Sequence, residues 1–288
     1  MSTSLVSLWL CNEQHDNKSI TDFIIKDYII ENESDAAAYK SRANSLYGQQ
    51  RYEEAARDYT KCIELDPKST AAYNGRGNCY HYMQRYKEAI GDYSKAIEVD
   101  PDSTMAIFNR GNSYKMQMKY DEAIADYSKV IELDPKNAVG YSSRASTYRA
   151  KQCFEDALRD YKMAIELGHT KATTYSGRAN AYYNLKMYEE AIRDYTTSLQ
   201  MEPNNSVAYY FRASAHKVLR NYDESVKDYT KTLEIDPKDA MTYNARSFVF
   251  EMKKMMKEAF QDAERAHNLQ PNNTVYRRNY MRLKDITG

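Results

Sequence analysis

A period of thirty-four residues limits what this chain can fold into more than any other feature. The stretch Thr104 to Asn137, TMAIFNRGNSYKMQMKYDEAIADYSKVIELDPKN, is one period, and near copies adjoin it on both sides without a gap. It reads as two amphipathic helices with punctuation. Helix A, over about Met105 to Met118, carries Ala106, Ile107, Gly111 and Tyr114 on one face. Tyr120 closes a short turn. Helix B then runs from about Asp121 to Leu133, with Ala123, Ile124, Tyr127 and Val130 at helical spacing. Pro135 ends it, because proline lacks the N–H and clashes with the preceding turn, and Asn137 can cap the next helix.

Counting from the first residue of each period, the units begin at Ala36, Thr70, Thr104, Ala138, Ala172, Ser206 and Ala240. All six prolines (Pro67, Pro101, Pro135, Pro203, Pro237, Pro271) occupy position 32. Position 20 is Ala55, Ala89, Ala123, Ala157, Ala191, Ser225 and Ala259. Position 24 is tyrosine from Tyr59 to Tyr229 and then Ala263. Position 17 is aromatic until Met256. The pattern resembles the tetratricopeptide repeat, which has this period and these small, aromatic and proline positions. The resemblance covers residues 36–273. It implies an all-α, right-handed superhelical solenoid of helix-turn-helix repeats with terminal capping helices: an N-terminal extension (1–35), seven repeats (36–69, 70–103, 104–137, 138–171, 172–205, 206–239, 240–273) and a C-terminal capping helix (274–288). Such an array is one continuous domain whose core grows along the chain.

Composition narrows the function classes. Lys plus Arg equals Asp plus Glu at 41 each, so no field of one sign steers the surface towards nucleic acid or anionic lipid. Most of the 28 tyrosines fall at positions 4, 11, 17 and 24, where helices pack. The four cysteines form no CxxC pair and have no histidine at ligand spacing, which points to reduced thiols of a cytoplasmic or nuclear protein, to no metal and to no cofactor. No apolar run approaches the ~18 residues of a membrane span. The opening SLVSLWLC lacks a basic lead and a cleavage site, so it is not read as a signal peptide. The five histidines are scattered and no nucleophile elbow or phosphate loop is present, so a non-enzymatic role is expected.

Outside the array, Ser19 and Asp22 can box the start of a helix carrying Ile20, Phe23, Ile24, Ile25, Tyr28 and Ile29, expected to cap the first repeat; the alternative is that this helix, or Leu5, Leu8, Trp9 and Leu10, docks into the array's own groove or a partner's. Position 34 is Ser69, Ser103, Asn137, Asn205, Asp239 and Asn273, each a suitable N-cap. The fourth unit departs, with His169 in place of proline and Lys171 in place of the cap. There Gly168 is expected to end the helix in the left-handed conformation and Thr170 to cap the next. Val275 to Lys284 reads as a final helix with Tyr276, Tyr280 and Leu283 inward and Arg277, Arg278, Arg282 and Lys284 outward.

Two recurrences exceed the family pattern. Position 7 is Arg42, Arg76, Arg110, Arg144, Arg178, Arg212 and Arg246; position 23 is Asp58, Asp92, Asp126, Asp160, Asp194, Asp228 and Asp262. Arginine in step with aspartate predicts a ladder of bidentate ion pairs, within or between units, that sets register more than stability, because exposed pairs contribute little. Position 9 is Asn44, Asn78, Asn112, Ser146, Asn180 and Ser214. The resemblance places positions 2, 5, 6, 9, 12 and 13 of helix A on the concave face, so these asparagines would form a row able to donate to and accept from a peptide backbone. By the same positions the groove is polar early (Lys40, Asn44, Asn74, Asn78, Asn109, Asn112) and, beyond Asn180, apolar late (Tyr210, Phe211, Phe248). Seven A helices at ~8–10 Å give a path of roughly 50–60 Å, room for roughly 15–18 extended residues.

The implied function is a protein-interaction scaffold or adaptor that holds an extended segment of a partner protein in this groove, without nucleic acid or membrane insertion. One alternative is a co-chaperone gripping the acidic tails of heat-shock chaperones. Its carboxylate clamp is incomplete: Lys40 and Asn44 fit, but Gly75, Met105 and Asn109 stand where Asn, Lys and Arg belong. One unit later, Asn78 and Asn109 fit but Asn74, Val139 and Ser143 do not. The other alternative is a self-associating structural module.

Overall fold

The computed structural model describes residues 35–287, so the expected N-terminal cap lies outside the described residues. Among them are fifteen helices and no strand. They run α1 (Ala36–Gly48), α2 (Tyr52–Leu65), α3 (Thr70–Tyr82), α4 (Tyr86–Val99), α5 (Thr104–Met116), α6 (Tyr120–Leu133), α7 (Ala138–Ala150), α8 (Phe154–Glu166), α9 (Ala172–Asn184), α10 (Tyr188–Met201), α11 (Ser206–Val218), α12 (Tyr222–Ile235), α13 (Ala240–Met252), α14 (Met256–Leu269) and α15 (Thr274–Thr287). Odd numbers are A helices and even numbers B helices. The chain divides into two compact units, one ending at Met118 and one beginning at Lys119. Inside each, every helix packs on its neighbours in sequence, and successive A helices touch (α1 on α3, α3 on α5, α7 on α9, α9 on α11). That one-dimensional stacking is the packing of a solenoid.

The turns follow from few residues. After helix B, the Asp66, Asp100, Asp134 and Asp236 carboxylates accept from backbone N–H groups two residues on, bracketing the proline. Asn137, Asn205, Asp239 and Asn273 cap the following A helices as expected. Ser69 and Ser103 do not. Gly168 is left-handed at φ 90, but Thr170 makes no cap: Lys171 stands at the N-cap of α9 and cannot accept a bond. The turn inside each repeat was not foreseen. Position 15 is left-handed in all seven repeats (Gln50, Gln84, Met118, Gln152, Lys186, Arg220 and Lys254, φ 59 to 65), and none is glycine. The chain tolerates this because the next N–H closes back on the carbonyl of position 11, as Arg85 does on Tyr80 at 2.8 Å, the bond of a Schellman C-cap.

The core is built from small residues against rings. Alanine or serine at position 20 is fully buried, and Tyr59, Tyr93, Tyr161, Tyr195 and Tyr229 are buried beside it. The Tyr59 ring lies against Gly75 and the Tyr161 ring against Gly177, so close that a Cβ at either glycine would collide with the ring.

The arginines bind these layers together. In the six pairs that lie within one unit, Nε and Nη2 donate to the two oxygens of the aspartate of the same repeat at 2.5–2.9 Å, from Arg42–Asp58 to Arg246–Asp262. The six carboxylates are only 2–7% exposed, so these are buried pairs and the expectation of a minor, exposed ladder is corrected. Nη1 does something else: it donates to a hydroxyl of the preceding repeat, Arg76 to Thr60, Arg110 to Ser94, Arg144 to Ser128, Arg212 to Thr196 and Arg246 to Thr230, at 2.8–3.2 Å. Four of those hydroxyls in turn donate to a carbonyl one helical turn back. The guanidinium planes also lie over position 4 rings, as Arg212 does over Tyr209 at 5.5 Å. Arg178 is the exception, because Lys162 replaces the hydroxyl.

Burial favours the neutral acid: it pushes the Asp92 and Asp262 carboxyls up, opposed by their arginines, while the aspartates hold Arg76 and Arg144 above the usual value. A buried pair of this kind adds little net stability, but losing one partner strands a charge. Arg144→Met or Asp160→Leu alone should cost roughly 3–5 kcal/mol in urea unfolding, and the double variant should recover most of it. Additive losses in the double would show that the pairing is not what is being removed. Lys162→Thr, which restores the missing hydroxyl to Arg178, should raise the stability of the second unit by about 0.5–1.5 kcal/mol; no gain in unfolding free energy would count against that bond.

Candidate functional site

Contacts between neighbouring A helices show which positions share a face. In the first unit, Asn109 (position 6) donates from Nδ2 to Asn78 Oδ1 (position 9) at 3.1 Å, and His81 Nδ1 meets Ser113 Oγ at 2.8 Å. In the second, Tyr183 (position 12) sits edge-on to Phe211 (position 6) at 5.7 Å. Asn279 bonds Asn244 at 3.0 Å and Arg282 grips Glu251 through both oxygens at 2.5 and 2.6 Å. Positions 6, 9 and 12 of adjacent A helices therefore line one surface within each unit, joined in the second by Asn244 at position 5.

On that face of the first unit, Asn44 is exposed and Lys40, Asn78, Asn109 and Asn112 are half-buried. The asparagine carbonyls are already used. Tyr59 donates its hydroxyl to Asn44 Oδ1 at 2.6 Å and Tyr93 to Asn78 Oδ1 at 2.7 Å. At Asn44 and Asn78 a core phenol thus occupies part of the acceptor capacity that the expected two-way grip would use. Asn74 does not line the face at all. It is 2% exposed, and neither amide atom has a partner. Nor can Gly75 be read as a vacant clamp position, because the Tyr59 ring fills the space a side chain would need. Tyr82 is 58% exposed and stacks on Tyr52 at 5.2 Å, with Tyr47 edge-on to both. Burial lowers the basicity of His81.

On the second unit, Asn180, Tyr210, Phe211 and Phe248 are half-buried. Phe211 contacts Tyr183, Tyr210 and, stacked at 6.3 Å, the buried Tyr195. Ser214 takes the asparagine's place and meets the Tyr229 hydroxyl at 2.9 Å. Val218 and Met252 at position 13 are exposed, 46% and 54%. Two residues of this face escaped the sequence reading, Tyr183 and Lys217. Both stand at position 12, and the variability of that position (His81, Arg149, Tyr183, Lys217, Glu251) was the available signal. Burial pushes the Tyr183 and Tyr210 phenols up and the Lys217 ammonium down. The last helix was misread in one respect. Arg282 is not a solvated charge but the partner of Glu251, and Asn279, 4% exposed, docks α15 through Asn244 and Ser247. Arg277, Arg278 and Lys284 are exposed as expected.

Tetratricopeptide repeat profiles match residues 36–69, 70–103, 105–137, 172–205 and 206–239. The chain belongs to the tetratricopeptide repeat family. The matches omit the stretch with His169 for proline and the stretch with Met256 and Ala263 for aromatics. A comparison with curated proteins finds no match. Solved structures share the fold. The C-terminal part of a tetratricopeptide repeat protein from Cytophaga hutchinsonii superposes with a TM-score of 0.67 at 19% identity, over 83% of this chain and 98% of that one. YrrB, described as a tetratricopeptide repeat protein with an unusual peptide-binding site, gives 0.59 at 19% identity, over 67% and 97%. The Cut9–Hcn1 hetero-tetramer of the APC/C gives 0.60 at 16% identity, over 89% of this chain and 58% of that one. The family is one of protein-interaction scaffolds, and its repeat is typically a non-enzymatic module. No helix among the described residues is long and apolar enough to cross a membrane.

The packing of Tyr59 on Gly75 supplies a test of this tetratricopeptide face. Gly75→Ala should destabilise the first unit by about 1–3 kcal/mol through displacement of that ring and of its bond to Asn44. An unchanged urea midpoint would mean that the ring is free to move.

Proposed function

We propose that this protein is a non-enzymatic scaffold that holds an extended segment of a partner protein against the A-helix face. The observation that carries this reading is the aromatic and apolar surface of the second unit, where Tyr183, Tyr210 and Phe211 are only half-buried while Val218 and Met252 are exposed. Side chains that pack on one another yet stay open to solvent can gain further apolar burial from a segment laid across them. In the first unit the asparagine N–H groups of Asn44 and Asn78 are the groups on offer, so a peptide there would be held by its carbonyls. YrrB, a structure of the same fold, is described as having a peptide-binding site, which supports peptide binding by an array of this kind.

The tail-binding co-chaperone role is not favoured. Asn74 is buried and Gly75 is filled by Tyr59, so the lysine–asparagine arrangement begun by Lys40 and Asn44 is not continued. Selection of displayed random peptides on the full chain tests the groove. Val218→Asp with Met252→Asp should cut recovery at least about tenfold, while Met163→Asp, an exposed apolar position on helix α8, should leave it unchanged. Equal recovery by all three proteins would sink the groove reading.

A further inference from the structure

The second unit's face is unusual in its charges. Along positions 2, 5, 6, 9, 12 and 13 of α7, α9, α11 and α13, Glu251 is the single carboxylate, in a chain with 41 acidic residues. Its charge is met by Arg282. Two cations remain, both at position 12. The Arg149 Nε is buried without a partner, and Lys217 stands in the last turn of α11 with no carboxylate pairing it among the described residues. Burial moves the Lys217 ammonium down, and no acid among the described residues opposes the shift. Lys217 follows Ser214 by one helical turn and adjoins the exposed Val218. On the same helix lie Tyr210 and Phe211, and on the next A helix Phe248 and Met252.

A cation withdrawn from water without a counter-ion is unfavourable in the free protein, and a carboxylate delivered to it removes that penalty. Removal from water also strengthens such a pairing. The half-buried arginines of the ladder already have their anions, whereas Lys217 has none among the described residues.

We infer that the second unit selects an acidic extended segment of a partner protein, placing an Asp or Glu side chain on Lys217 and a neighbouring large apolar side chain against Phe211, Val218, Phe248 and Met252. This rests on the groove reading above and specifies its ligand. The charge complementarity resides at position 12 and is independent of the Lys40–Asn44 arrangement in the first unit.

The test uses the same displayed random peptides with the full chain and with Lys217→Gln and Lys217→Met, each checked by circular dichroism. Peptides enriched by the parent chain should carry Asp or Glu beside an aromatic or branched aliphatic residue. Those enriched by either variant should keep the apolar residue and lose the acidic one. An enriched acidic peptide, labelled with fluorescein, should bind the parent at least about tenfold tighter than its Gln counterpart, with the gap narrowing as salt is raised. Neutral or basic enrichment by the parent, or an acidic preference that survives in both variants, would overturn the inference and leave the groove reading in place. Selection of no peptide at all overturns both. The salt dependence of the parent decides the matter even if neither variant folds: equal affinity for the Glu and Gln peptides at low salt counts against a role for charge.

Discussion

The rest of the structure depends on one guanidinium per repeat. Two of its nitrogens hold the aspartate of helix B in the same repeat, and the third reaches a hydroxyl of the repeat before, as at Arg76 with Asp92 and Thr60. A planar fork with donors on two edges can do this, whereas an ammonium on a flexible stem cannot hold two partners in fixed directions. The apolar layers of alanine and tyrosine drive the stacking, but apolar contact is non-directional and tolerates sliding. The arginine supplies the direction. The junction before α9 lacks three of these devices together: Lys162 replaces the hydroxyl, His169 the proline, and Lys171 the capping side chain. It is the least stapled place in the second unit.

The same packing decides what the A-helix face can present. Buried tyrosines at position 24 reach towards position 9: the hydroxyls of Tyr59, Tyr93 and Tyr229 find partners there in Asn44, Asn78 and Ser214, whereas that of Tyr195 is buried without one. Part of what looks like a binding row is therefore the polar lid of the core. What remains for a ligand is the other half of each amide and the side chains that the core does not claim, chiefly at positions 12 and 13.

Much of this was legible before any coordinates. The period, the prolines and the alanine–tyrosine spacing dictate helix pairs and their order, because a side chain that recurs every thirty-four residues must meet the same neighbours each time. The recurrence of arginine with aspartate announced the pairs, though not their burial. Position 15 gave no sign of its left-handed turn: glutamine, methionine, lysine and arginine stand there, and the conformation is imposed by the backbone bonds around it. Asn74 was read as a groove residue from its position number, yet its surroundings enclose it.

By itself, then, the sequence determined the helices, their pairing and the residues that recur in the core, since all of these follow from periodicity and from the chemistry of proline, alanine and arginine. Tertiary structure alone decided which polar side chains remain free. That outcome depends on distances between helices: Arg282 reaches Glu251, Asn279 reaches Asn244, and no acidic group among the described residues reaches Lys217. Charge and identity are local properties of a residue, but the presence of a counter-ion is a property of its neighbours in space.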